Sequence, residues 1–275
     1  MSNLGKRLSE GVIPQLTAQI KQNKAVFAVY VTLRAVVLAA LILSIVRLDW
    51  EGAFICVLVL ALFTVPTIIQ RSLKVEFPTL LQIIILLFIF AAEILGELSA
   101  YYIQFRHWDT ILHTTWGFLC AAVGFSLVEL LNSDEKIKFE LSPFFLALVA
   151  FCFSMTIGIF WEFFEFAADR LLGLDMQKDT IITALRSVTL DETASNIPIL
   201  VENITSVSIN GQELGLGGYL DIGLYDTMED LFVNFIGALV FSIIGYIDAK
   251  KFFRSSLTAS LVPKKAKRDL QEENS

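Results

Sequence analysis

Long apolar runs separated by short polar stretches set the pattern of this chain. Six runs stand out, at residues 25–47, 52–70, 78–98, 109–131, 143–167 and 228–248. Each is close to the ~20 residues that an α-helix needs to cross a ~30 Å hydrocarbon layer. The pattern therefore predicts an all-α membrane protein, a bundle of six transmembrane helices. Local signals sharpen the ends. Ser142-Pro143 reads as an N-cap followed by proline at the first helical position, Pro78 suits a first turn, and Gly173 is a stop for the fifth helix.

The runs divide the chain into an N-terminal segment, 1–24, a transmembrane domain, 25–249, and a basic, disordered tail, 250–275. The domain carries one sizeable extramembrane insertion, at about 174–225. In it, Ser206-Val-Ser-Ile-Asn-Gly-Gln-Glu-Leu214 places Asn210-Gly211 between alternating residues, a strong hairpin signal. Gly215, Gly217 and Gly218 then lead into Tyr219–Gly223. A small β-hairpin cap over the bundle is expected, with a short helix between Asp175 and Asp191. A further short amphipathic helix is expected around Ile13–Ile20.

Composition agrees with the pattern. The chain is 55% hydrophobic, with a mean hydropathy of +0.67 and only 18% charged residues, which excludes an ordinary soluble domain. The net charge of −7 says little about nucleic acid, because the charges are divided between two faces of a membrane, and no nucleic-acid partner is expected. Cys56, Cys120 and Cys152 all lie in apolar runs without metal-ligand spacing, so they read as core or lipid-facing residues. The first run is too long for the apolar core of a cleavable signal and should remain as the first membrane helix.

Charge asymmetry supplies an orientation. One side of the membrane holds fifteen Lys and Arg residues and the other five, leaving Arg34 inside the first helix with Glu93 as a candidate partner. The basic side carries both termini, so both are expected in the cytoplasm and the insertion is expected to face outward.

Against this apolar background the polar positions become informative. Asp226, Asp230 and Asn234 stand at i, i+4 and i+8, on one face of the last helix. Asp109 and His113 share a face of the fourth, and Glu162, Glu165 and Asp169 one of the fifth. Because successive helices alternate in direction, these clusters fall at the same leaflet, together with Glu93 and Glu97 of the third. A charged group at the bilayer centre costs ~3 kcal/mol on insertion scales, so such groups are functional candidates. Carboxylates with one imidazole form the ligand type of bundle-core metal sites and suit zinc, manganese, iron or magnesium. The candidate ligands of a divalent metal ion are Asp109, His113, Glu162 and Asp230, with Glu165 as a base. Asp226, Asn234 and Glu93 are further polar positions. Structural roles compete: Asp226 and Asp109 stand where N-caps would, and Arg106 and Arg170 could supply counter-charge in place of a metal.

At Trp108-Asp-Thr-Ile-Leu-His113 with Gly117, Trp161-Glu-Phe-Phe-Glu165 and Leu220-Asp-Ile-Gly-Leu-Tyr-Asp-Thr-Met-Glu-Asp230, the chain resembles the YjdF-like family of bacterial integral membrane proteins. More distantly, Asp109/His113 and Asp230/Asn234/Gly237 look like the D-x-x-x-H and D-x-x-x-N-x-x-G pattern of VanZ-like membrane proteins. The resemblance implies a bacterial cell-envelope protein and supplies no reaction. Three functions fit: a metal-dependent hydrolase or transferase acting on a lipid-linked envelope substrate, a non-catalytic membrane scaffold, and a proton- or cation-coupled transporter. Membrane lipid is the expected surrounding in each case.

The orientation has a direct test. Single cysteines at Ser208 and Ser256, in a background free of native cysteines, should respond oppositely to a membrane-impermeant thiol reagent applied to intact cells. Position 208 should be labelled and 256 spared; the reverse pattern overturns the orientation.

Overall fold

The computed structural model describes residues 24–72, 75–132, 141–250 and 256–265. The expected helix at Ile13–Ile20 lies outside them. Among the described residues, six helical spans are long and apolar enough to cross a membrane. The first is α1, Lys24–Val46. The second is divided into α2, Trp50–Leu62, and α3, Val65–Ser72. The third begins as α4, Thr79–Ile89, and continues as a π-helix, Phe90–Leu98. A single turn, α5, Tyr101–Gln104, precedes α6, Trp108–Asn132. Then come α7, Pro143–Leu172, and α8, Leu224–Lys250.

Several of these boundaries have legible causes. Ser142 Oγ accepts from Phe145 N at 3.3 Å, with Pro143 opening α7, and Gly173 ends that helix at φ +69°. The helix thus continues five residues beyond the apolar run, to the stop expected at Gly173. Pro78 is itself the residue before the helix rather than part of its first turn. The second run, expected as one helix over 52–70, breaks at Phe63 and Thr64 instead, where Pro66 cannot donate a backbone hydrogen bond. At the end of the third span Ser99 N reaches back five residues to Ile94 O, at 3.0 Å, and Ser99 Oγ joins the same carbonyl at 2.8 Å. These bonds close the widened π turn that carries Glu93 and Glu97.

Helices α6, α7 and α8 pack on one another to form the heart of the bundle. Its core includes Ala121, Ala122 and Phe125 of α6, Leu146 and Ala150 of α7, and Ala238 and Phe241 of α8. A second core joins α1, α2 and the third span through Val37, Cys56, Val59, Phe63, Leu86 and Ile94. Large apolar side chains such as Ile42, Phe54, Phe160, Phe163 and Phe232 remain exposed on the flanks, as a lipid-facing surface requires. Cys56 and Cys120 are buried and Cys152 is exposed, all as free thiols.

Glycines set how closely the central helices approach. A Cβ on Gly237 of α8 would lie 2.0 Å from Thr114 O of α6, and one on Gly117 would lie 2.2 Å from Asn234 O. Gly158 of α7 faces the Asn234 amide in the same way, at 2.6 Å. Asn234 is thereby held between two glycines, 1% exposed. Ser154 Oγ donates across to Gly117 O at 2.7 Å.

The insertion is a small β cap at one end of the bundle. The Asn210-Gly211 hairpin is present: Ser208–Ile209 (β5) pairs with Gln212–Glu213 (β6), and both turn residues have positive φ, 54° and 81°. The short helix expected between Asp175 and Asp191 is absent, apart from one 3-10 turn at Val188–Leu190. Its place is taken by β2, Thr180–Ile182, and β3, Leu185–Ser187, which pair antiparallel with β7, Tyr219–Asp221, and β4, Ile199–Val201. The β-branched residues Thr180, Ile181 and Ile182 favour a strand. Gly218 lets its partner chain approach, since a Cβ there would meet Ile181 Cγ2 at 2.6 Å.

At the opposite end, part of the tail expected to lack structure is ordered. Residues Ser256–Leu261 form a helical turn (α9), and Lys264–Lys265 (β8) pair with Val75–Glu76 (β1). The cause is apolar anchoring: Leu261 and Val262 are buried in the central core, and Ser126 Oγ donates to Pro263 O at 2.9 Å. Charge content alone concealed this short docking segment.

Substituting Gly237 by Ala should cost about 1–3 kcal/mol by overpacking α8 against the α6 backbone. A lower unfolding midpoint of the detergent-purified protein measures it; an unchanged midpoint shows that the helices separate freely.

Candidate functional site

The polar residues of the central helices meet at the end of the bundle under the β cap. Asp109 and His113 lie one turn apart on α6, Glu162 and Glu165 at adjacent positions of one α7 face, and Asp230 on α8 one turn before Asn234. The glycine contacts below draw the three helices together, so these side chains share one space. Glu162, Glu165 and Asp230 are only 5%, 7% and 3% exposed.

His113 stands at the centre. Its Nε2 is 3.4 Å from Asp109 Oδ1 and 3.8 Å from Asp230 Oδ2, and its Nδ1 is 4.0 Å from Glu162 Oε1. These separations exceed ordinary hydrogen-bond lengths. The two at Nε2 approach the distance between ligands around a common ion: bonds of about 2.1 Å in a tetrahedron place neighbouring ligand atoms about 3.4 Å apart. Ligand atoms from Asp109, His113 and Asp230 lie within 4.8 Å of one another, as do those from Glu162, Glu165 and Asp230.

The carboxylates are incompletely satisfied. Trp161 Nε1 donates to Glu165 Oε1 at 2.9 Å and fixes that side chain. Glu165 Oε2 and Glu162 Oε2 are buried without a hydrogen-bond partner. Among the described residues the ion-pair partner at the cluster is His113, and no arginine or lysine pairs with these carboxylates. The alternative in which Arg106 and Arg170 supply counter-charge therefore fails. Both are exposed, and Arg170 lies over the Phe166 ring, 5.5 Å from its centroid. Arg34 likewise does not pair with Glu93; it packs over Tyr30 and donates to Leu60 O at 3.5 Å.

The remaining polar positions divide by role. Asp226 is not an N-cap, because α8 begins at Leu224 and Asp221 Oδ2 accepts from Tyr225 N. Asp226 Oδ2 instead accepts from Lys178 N at 2.7 Å. Asp169 accepts from Met176 N at 2.6 Å and Gln177 N at 2.9 Å, and Gln177 Nε2 donates to Thr227 Oγ1 at 2.5 Å. These bonds fasten the start of the cap to the tops of α7 and α8, over the site. Asp109 is already inside α6, which starts at Trp108. Asn234 is wedged among glycines, its Nδ2 3.5 Å from Met155 Sδ, and belongs to the packing below the site.

Sequence reasoning missed Tyr102. The chain turns at Ala100, where φ is +56°, and α5 lays the Tyr102 ring on Gly96 of the π-helix. Burial, and then the carboxylates of Asp109, Glu97, Glu93 and Glu165, push the phenol's pKa upward. Tyr102 thus stays protonated beside the acidic cluster and links it electrostatically to Glu93, which is half-buried on the π-helix and outside both ligand groups. No periodicity flags Tyr102, since it lies beyond a span and behind a left-handed turn. The Trp161 contact could be anticipated from its i, i+4 spacing to Glu165.

Asp226→Asn should loosen the cap, since hydrogen bonds to charged groups contribute about 1.5–3 kcal/mol. Hydrogen exchange at Gln177 and Lys178 should accelerate while exchange within α8 stays slow. Unchanged protection at Lys178 removes Asp226 from this role.

A model of the family described as "Predicted membrane protein (DUF2238)" matches residues 29–251. No curated protein and no solved structure matches the chain.

Proposed function

The chain belongs to the DUF2238 family of predicted membrane proteins, and from that premise we propose that it is a cell-envelope enzyme with a divalent-metal site in its outer leaflet. The proposed activity is that of a hydrolase or transferase acting on a lipid-linked envelope substrate. Asp109, His113, Glu162 and Asp230 are the ligands, and Glu165, oriented by Trp161, is the base that activates water. The excess of Lys and Arg on the opposite side supports an outward site with both termini in the cytoplasm.

One observation carries the reading. Acidic side chains from three helices converge in a buried space, and two of their oxygens have no partner. Buried carboxylates repel one another unless protons or a cation intervene. A network that served only to lock the helices would satisfy its own hydrogen bonds, because an unpaired buried polar group costs about 1–3 kcal/mol. The scaffold function fits Asp169, Asp226 and Asn234, whose contacts are with backbone and packing atoms. It does not fit Glu162 and Glu165.

Protein purified in detergent and stripped with chelator should regain thermal stability when zinc, manganese or magnesium is added. A ligand at 100 times its Kd stabilises by about 2.7 kcal/mol. His113→Ala should abolish the gain, and a midpoint indifferent to all three ions would sink the metal reading. Glu165→Gln should insert and fold yet fail to restore the envelope phenotype of a deletion strain; full restoration favours the scaffold.

A further inference from the structure

Resting on the metal reading above, we propose that the site holds two divalent cations bridged by Asp230. The five side chains fall into two triads, Asp109/His113/Asp230 and Glu162/Glu165/Asp230, and Asp230 is common to both. A carboxylate has two oxygens and can bind a different cation with each. Asp230 is almost fully buried, 3% exposed, between the two remaining pairs of ligands.

Two further observations support the second ion. The first concerns the unpartnered atoms. A single cation held by Asp109, His113 and Asp230 leaves Glu162 Oε2 and Glu165 Oε2 orphaned, in side chains more than nine-tenths buried. A single cation at the glutamates instead leaves His113 and Asp109 as a loose pair at 3.4 Å. The second is charge. Asp109, Glu162, Glu165 and Asp230 are four carboxylates, and no arginine or lysine pairs with them among the described residues. Two divalent ions balance four carboxylates with a neutral imidazole, whereas one leaves two negative charges that only protons could neutralise in a low-dielectric space.

The two positions differ in chemistry. The α6 position offers a nitrogen and two carboxylate oxygens, a mixed set that suits zinc, iron or manganese. The α7 position offers carboxylate oxygens from all three side chains, a harder set that suits manganese or magnesium. Manganese satisfies both. In this arrangement Glu165 holds a cation through Oε2 while Trp161 retains Oε1. Two cations held there would supply the activation of water that Glu165, as a ligand, no longer provides as a free base.

The test is the stoichiometry and magnetism of the full chain, loaded with Mn2+ in detergent after chelator treatment. Two ions per chain with a spin-coupled paramagnetic resonance signal are expected. Glu165→Gln should halve the stoichiometry and leave an uncoupled signal; Glu162→Gln serves the same purpose if that variant does not elute as a monodisperse species. One ion per chain in the unaltered protein overturns the paired site while leaving a single-metal enzyme intact. Two ions without coupling overturn the bridging role of Asp230. No bound ion, with Mn2+ in large excess, overturns both this inference and the metal reading beneath it.

Discussion

The close approach of three helix backbones around Asn234 is the constraint on which the acidic cluster depends. Gly117, Gly158 and Gly237 each stand where a side chain would collide with a neighbouring helix. In lipid, helices gain little from burying apolar surface against one another, because the surrounding chains are equally apolar. Backbone proximity and interhelical hydrogen bonds take over. The Ser154 bond to Gly117 O and the amide of Asn234 between two glycines are of this kind. They lie one turn below the carboxylates and fix the distance across which Asp109, His113, Glu162, Glu165 and Asp230 face one another.

Above that layer a second set of bonds closes the bundle. Asp169 and Asp226 accept from consecutive backbone amides at Met176, Gln177 and Lys178. The same sequence clusters therefore contain two kinds of acid. Those at the helix tops hold the cap, and those one turn deeper enclose the candidate site. Depth decides the role: an acid at the top meets free loop amides, while a deeper one faces a helix whose backbone donors are already used.

The third span adds an element of a different kind. Its π turn widens the helix at Glu93 and Glu97, and the return through Ala100 brings Tyr102 against Gly96. A neutral phenol is thereby set among carboxylates, at the flank where the α1–α2–α4 core meets the central three helices. This side of the cluster is built by irregular backbone, which a membrane protein tolerates where neighbouring protein covers it.

The sequence by itself determined the six spans, the Ser142 and Gly173 boundaries, and the Asn210-Gly211 hairpin. Each of these follows from local chemistry: hydropathy over a bilayer-length window, a capping hydroxyl, residues that accept positive φ. It also marked Asp109, His113, Glu162, Glu165 and Asp230, because an ionisable residue inside an apolar run is conspicuous, and helical periodicity assigns it a face. What it left open depended on contacts between distant segments. The division of acids between cap and cluster rests on loop amides some fifty positions away from Asp226. The docking of Leu261 and Val262 rests on a pocket made by other helices, and the position of Tyr102 on a left-handed turn at an alanine. Only the tertiary structure decided that Arg34, Arg106 and Arg170 stay away from the carboxylates. Long, flexible cations can reach several partners from one position, and composition does not say which geometry wins.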